Sequence, residues 1–312
     1  MDNSTYKSGL FNVPDGHVLN YELYGNPKGI PVLFFHGGPG AGFRNKDKRF
    51  FDPKIFNVIF FDQRGAGKST PFGSLCKNNT QKLIGDTKNL LDFLGFKKVI
   101  LFGGSWGSTL ALTFAIRHTS YVSGMILRGI FLGTKAEIKH YCQGGVAKFC
   151  PEVWERFIGL VPEAERGNIP AYYLKKMTDG TKETEKYAYE WAYYETSLLR
   201  LRVTKREILE NLGNPSCRAL SLLEAYYMVN NCFLPDNYIL DKVGKLSSIP
   251  TSIIHGRYDL ICPPINAYNL SKKISGSRLF FVTAGHSARE KAIEKKVISE
   301  LVRMASLLQK KV

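Results

Sequence analysis

The chain lacks any apolar run that could cross a bilayer. A spanning helix needs about 18 or more uninterrupted apolar residues, and the most apolar stretch, residues 99–116, is broken by glycines, serines and threonines. The opening residues Met1-Asp2-Asn3-Ser4-Thr5-Tyr6-Lys7-Ser8 hold no apolar segment of the kind a secretory leader requires. The cysteines do not pair by pattern. Cys76, Cys142, Cys150, Cys217, Cys232 and Cys262 are scattered without C-x-x-C spacing, and no cysteine–histidine group has the arrangement of a zinc site. Together these absences exclude a membrane span, a disulfide framework and a bound metal, and they lead us to expect a cytoplasmic protein with reduced thiols and no cofactor.

Acidic residues are also scarce, with 27 Asp and Glu against 43 Lys and Arg, a formal charge of +16. Such an excess attracts polyanions. Here, however, the basic residues run along the whole chain with acids among them, and no aromatic-basic module appears. The expectation is a solvated basic surface, with neither nucleic acid nor membrane as partner. Hydrophobic residues make up 44% and charged residues 22% of the chain, as in folded globular proteins. At 312 residues it can hold one large domain with a smaller one inserted.

What is present is a series of short, β-branched or aromatic runs: residues 31–35, 57–61, 98–102, 124–127, 251–254 and 278–282. Continuous apolar runs of this length fit strands covered on both faces. A helical pattern lies between the second and third: Thr80 can cap it, Leu83, Ile84, Thr87, Leu90, Leu91 and Leu94 share one face, and Gly95 stands where it would stop. Another amphipathic segment runs from about Ala288. Alternating strands and helices imply an α/β fold with a mostly parallel sheet. Between residues 133 and 242 the strand runs vanish, and aromatic and charged residues take helical spacing. The expected organisation is a core domain of residues 1–132 and 243–312, with a helical cap of residues 133–242.

One strand runs directly into Gly103-Gly104-Ser105-Trp106-Gly107-Ser108 and then into a helix-forming stretch. G-x-S-x-G in that context is a strand-to-helix elbow, where small residues two places either side of a nucleophile avoid the neighbouring backbone. A serine hydroxyl needs a base. Of the six histidines, His286 directly follows the last strand run, at the edge where strands deliver loops to an active face. His255 reads as a satisfied strand residue, His17 and His118 as surface or capping residues, and His140 falls in the cap. In the α/β-hydrolase order of serine, acid, histidine, Asp259 after the run 251–254 is the orienting acid. His36-Gly37-Gly38-Pro39-Gly40 follows another strand, where the Gly38 and Trp106 N–H groups can form an oxyanion hole.

HGGPG at 36–40, Asp62-Gln63-Arg64-Gly65-Ala66-Gly67-Lys68-Ser69, GGSWGS at 103–108, Gly256-Arg257-Tyr258-Asp259 and Gly285-His286-Ser287 together closely resemble the proline iminopeptidases, serine peptidases of the α/β-hydrolase superfamily. The resemblance spans nearly the whole chain. It implies an aminopeptidase acting on peptides with a free N-terminal proline, with Glu195 and Glu224 reading the terminal ammonium and Phe131 and Tyr141 walling the proline pocket. Met228 stands where the family usually has phenylalanine, and Tyr194 where it has tryptophan. The residues point the same way for the glutamates, since each lies among apolar neighbours at helical spacing, where an acid is costly unless it meets a cation; the alternative is a helix-edge glutamate reaching water or a nearby arginine such as Arg200 or Arg202. An esterase or amidase of the same fold, a broader aminopeptidase and a non-catalytic binding protein are the alternatives.

Overall fold

In the computed structural model, which describes residues 4–213 and 216–310, the apolar runs are strands of one eight-stranded sheet. Residues 1–3, 214–215 and 311–312 of the expected core and cap segments lie outside the described residues. The strands are β1 (Thr5–Val13), β2 (His17–Gly25), β3 (Ile30–Phe35), β4 (Phe56–Phe61), β5 (Val99–Ser105), β6 (Val122–Ile130), β7 (Thr251–Gly256) and β8 (Arg278–Val282). Their order is β1-β2-β4-β3-β5-β6-β7-β8. From β4 to β8 neighbours are parallel, whereas β1 and β2 add antiparallel pairs at the edge. Every residue of β4 is buried, as its unbroken FNVIFF run requires.

Helices α1 (Thr80–Leu94) and α2 (Trp106–Arg117) lie in the first half of the chain. Between β6 and β7 come α3 (Lys135–Cys142), α4 (Pro151–Ile158), α5 (Ile169–Thr178), α6 (Thr184–Leu198), α7 (Lys205–Leu212), α8 (Ser216–Val229) and α9 (Tyr238–Lys242), with no strand among the described residues. The chain closes with α10 (Pro264–Lys273) and α11 (Lys291–Gln309). Phe157 stacks on Tyr173 and Tyr194, with ring centroids 4.7 and 4.1 Å away. This aromatic cluster is continuous with the apolar core under the sheet. No helix among the described residues is long and apolar enough to cross a membrane.

Three local expectations change. The α1 cap is Asn79, whose Oδ1 accepts the Lys82 N–H at 3.0 Å, while Thr80 Oγ1 donates to the Cys232 carbonyl. The last helix starts at Lys291, with Glu290 at the cap position turning its carboxylate upstream to accept the Gly285 N–H at 2.7 Å. His17 is buried, and its Nε2 bonds the Cys76 carbonyl at 2.8 Å.

Beside the site, Glu137 ties together the end of β6, the start of α3 and α10. Its buried carboxylate accepts from the Leu132 and Thr134 N–H groups at 2.9 Å, and also from Thr134 Oγ1 and Asn266 Nδ2. Glu137→Ala strands these donors, and an expected loss of about 3 kcal/mol in unfolding free energy should appear in the denaturant midpoint. Burial outweighs the hydrogen bonds and pushes the carboxyl pKa from 4.5 up to about 7. With the folded value raised, the stability this group contributes is full at low pH and lost as pH rises through that interval. The gap between native chain and variant should therefore narrow from about pH 4.5 to pH 7.

Candidate active site

The strand order reverses around β3, because the chain goes from β3 to β4 on one side and then crosses to β5 on the other. Crevices form outside the carboxyl ends of strands at such a switch point. The carboxyl end of β3 carries His36-Gly37-Gly38, and that of β5 carries Ser105.

Ser105 sits at the β5–α2 junction with φ 57° and ψ −130°, a conformation that L side chains rarely adopt. The turn is tight enough that a side chain at Gly103 would run into the Gly107 carbonyl, and one at Gly107 into the Phe35 carbonyl. Trp106 begins α2, so its N–H lies at the positive end of a helix. Gly38 has φ 36°, and a Cβ there would meet the Leu220 side chain and lie 3.0 Å from a Glu224 carboxylate oxygen. Neither the Gly38 nor the Trp106 N–H is spent on a turn or cap carbonyl among the described residues.

His286 Nδ1 donates to Asp259 Oδ2 at 2.7 Å, and Asp259 Oδ1 accepts the N–H groups of Ile261 and Cys262 at 3.1 and 2.8 Å. Burial alone would raise the Asp259 pKa, but the His286 imidazole, its hydrogen bond, His255 and the Cys262 N–H hold it below the usual value. Asp259 is therefore ionised, with Nδ1 carrying the His286 proton and Nε2 left as the basic nitrogen. Ser105 and His286 line one cavity of about 180 Å³. His255 is the satisfied strand residue expected. Its Nδ1 accepts the Ile130 N–H at 3.0 Å, its Nε2 bonds the Cys262 carbonyl at 2.8 Å, and burial depresses its pKa.

A second, inner pocket of about 20 Å³ shares Ser105, Gly38 and Glu195 with the first, and its walls include Phe131, Tyr141 and Met228. Glu224 also lines it, buried, with Oε2 accepting the Trp191 indole N–H at 2.8 Å. Burial, then the neighbouring Glu195, push its pKa well above the usual carboxylate range against that hydrogen bond. Glu195 is half-buried where the two cavities meet, and burial raises its pKa too, opposed by His286 and Arg44. The Tyr141 hydroxyl is buried without a hydrogen-bond partner among the described residues. Tyr194 donates to the Tyr141 carbonyl at 2.6 Å and packs its ring 5.2 Å from that of Tyr141, so the substituted ring still backs the pocket. The nine other residues expected to form the site thus lie around Ser105.

Three neighbours are given no role by the sequence reading. Gln63 links the two turns: its N–H donates to His36 Nε2 at 3.0 Å, while its Oε1 accepts the Trp106 indole N–H at 2.9 Å. Arg128 Nη1 donates to the His286 carbonyl at 3.1 Å. The buried Cys262 thiol lies beside Ser105, its pKa raised by burial first and then by Asp259. Arg64, in the same run as Gln63, has a scaffold role, pairing with Asp86 at 2.6 and 2.9 Å in the interior.

Residues 30–291 match the family model described as the alpha/beta hydrolase fold. Proline iminopeptidase of Arabidopsis thaliana is 40% identical over 307 residues, covering 97% of this chain and 81% of that protein. Proline iminopeptidase of Xylella fastidiosa strain 9a5c is 37% identical over 288 residues, 91% of this chain and 92% of its own length. Among solved structures, a thermophilic esterase from Thermogutta terrifontis superposes with a TM-score of 0.68 at 21% identity, covering 96% of this chain and 99% of that one, a likeness of fold. At 37–40% identity over more than nine-tenths of its length, the chain belongs to the proline iminopeptidase family of the α/β-hydrolase fold.

Proposed function

We propose that this protein is a serine aminopeptidase that releases proline from the N-terminus of peptides. Ser105 Oγ attacks the prolyl carbonyl carbon while His286 Nε2 takes its proton, and the Gly38 and Trp106 N–H groups receive the oxyanion. His286 returns the proton to the departing amine, whose C–N bond breaks, leaving a prolyl ester on Ser105. Water then attacks that ester with His286 Nε2 taking its proton, and the imidazolium returns that proton to Ser105 Oγ as the ester C–O bond breaks, releasing proline and the free serine. Asp259 keeps the imidazole in the needed tautomer throughout. This chemistry calls on no metal and no electron carrier.

The observation that carries the reading is the pair Glu195 and Glu224 in a small pocket directly beside Ser105. Burying two neighbouring carboxylates is unfavourable unless a cation joins them. An N-terminal proline supplies one: its secondary ammonium has two N–H donors for two carboxylates. Its ring faces Phe131, Tyr141 and Met228, and the unbranched Met228 side chain can give way as the compact pocket fills. Residues 133–242, which provide Glu195 and Glu224, act as a cap that closes the acyl side of the site.

The test compares release of a reporter amine from proline, alanine and N-acetylproline derivatives. The free proline derivative should be turned over fastest and N-acetylproline at least about a hundredfold more slowly, because acetylation removes the charge. N-acetylproline as the best substrate would overturn the reading in favour of an esterase or amidase.

A further inference from the structure

The outer cavity is not needed to hold proline, yet it is the more strongly charged of the two. From Ser105 and His286 it opens toward Arg44, Arg49, Arg200 and Arg289, and the same four arginines line the adjoining recess. They reach it from separate parts of the chain: Arg44 and Arg49 from the segment after β3, Arg200 from beyond α6, and Arg289 from the loop before α11. Two are paired, Arg49 with Glu294 at 3.2 Å and Arg200 with Glu207 at 2.7 Å. Arg44 and Arg289 have no carboxylate partner within ion-pair distance among the described residues. Burial and then the charges of Arg44 and Arg200 press the Arg289 pKa downward, with Asp47 opposing. Guanidinium groups held together in this way gain from an anion, and their planar fork matches a carboxylate.

We infer that the outer cavity is a subsite for the leaving group, in which Arg44 and Arg289 hold the free C-terminal carboxylate of a short peptide. This rests on the aminopeptidase reading above. Ser105 lies where the two cavities join, so with the acyl proline in the inner pocket the departing residues occupy the outer one. Each residue adds at most about 3.5 Å of chain, so only short peptides place their terminal carboxylate in this cavity. Such a peptide is gripped at both ends, its ammonium by Glu195 and Glu224 and its carboxylate by the arginines, with the scissile bond held between. Short, zwitterionic peptides are then the preferred substrates, and part of the chain's basic excess has a place in the reaction.

The experiment measures kcat/KM for Pro-Gly, Pro-Gly-amide, Pro-Asp-amide, Pro-Asn-amide and a prolyl aminocoumarin. In the native enzyme Pro-Gly should exceed its amide by about tenfold or more at low ionic strength, an advantage that added salt reduces. In the double variant Arg44→Met, Arg289→Met this ratio should fall close to one, and Arg289→Lys alone should leave it intermediate. Because the readout is a ratio within each protein, a partial loss of folded enzyme cancels. Equal values for acid and amide in the native enzyme, or an unaltered ratio in the double variant, would overturn the inference. A gain confined to Pro-Asp-amide over Pro-Asn-amide would also overturn it, assigning the arginines to acidic side chains. Failure to hydrolyse the coumarin derivative would instead remove the aminopeptidase reading itself.

Discussion

Ser105→Gly is expected to abolish turnover and at the same time to stabilise the protein. With φ 57° and ψ −130°, Ser105 holds a conformation that costs an L residue about 1–3 kcal/mol and that glycine adopts freely. Glycine's larger freedom in the unfolded chain returns part of that gain. A net increase of about 1 kcal/mol in unfolding free energy is therefore expected, read as a higher denaturant midpoint at unchanged slope. Ser105→Ala keeps the strain and should stay within about 0.5 kcal/mol of the native chain. Both variants lack the nucleophile, so kcat should fall at least about ten-thousandfold and fluorophosphonate labelling should vanish. Asp259→Asn should approach the same loss by another route. An amide at that position can present its N–H to His286 Nδ1, which favours the tautomer with the proton on Nε2 and removes the base. Retention of more than a hundredth of native turnover in Ser105→Ala would mean that another group attacks the substrate.

The residues proposed as a triad are legible because each carries a local sign. Ser105 stands between glycines after an apolar strand, and Asp259 and His286 each follow a strand run in the order the fold requires. The central strands were legible for a related reason: burial on both faces leaves unbroken apolar runs such as residues 57–61. The edge pair β1–β2 was not, since β1 is largely exposed and its residues alternate only weakly. Its one local sign is Pro14-Asp15-Gly16, a turn between two extended runs. The Asn79 cap was missed by one residue, because Asn79 and Thr80 are equally able caps and a contact with Cys232 from beyond α8 decides between them. Gln63, Arg128 and Cys262 fall in a different class. Their roles depend on partners that only the sheet order brings near, and no spacing in the sequence encodes them. The same holds for Arg44 and Arg289, which meet across a cavity mouth.

Glu224→Gln is expected to lower kcat/KM for free-amine prolyl substrates about a hundredfold while leaving Ser105 reactive to fluorophosphonate and making the fold more stable. The catalytic loss is that of one charge-assisted contact to the ammonium, worth about 3 kcal/mol in a desolvated pocket. The stability gain follows from the native carboxylate's surroundings. Burial, then Glu195, raise its pKa well above 4.5, and the single hydrogen bond from Trp191 does not offset them. Glutamine still accepts that bond through its carbonyl but carries no charge. Since the folded pKa is raised, native stability from this group is full below the unfolded value and declines as pH climbs toward the folded one. The variant has no such slope, so its advantage in thermal midpoint should widen as pH rises from about 5 to 8. Kinetics should show the mirror image. As pH falls the glutamate pair takes up protons and loses its hold on the ammonium, so kcat/KM for the prolyl amine should decline above the ordinary carboxylate range. Fluorophosphonate labelling requires only the triad and lacks that limb, so the quotient of the two rates against pH isolates Glu195 and Glu224 from His286. Unchanged peptide kinetics in Glu224→Gln, together with a flat quotient, would show that the buried acids do not read the substrate's N-terminus.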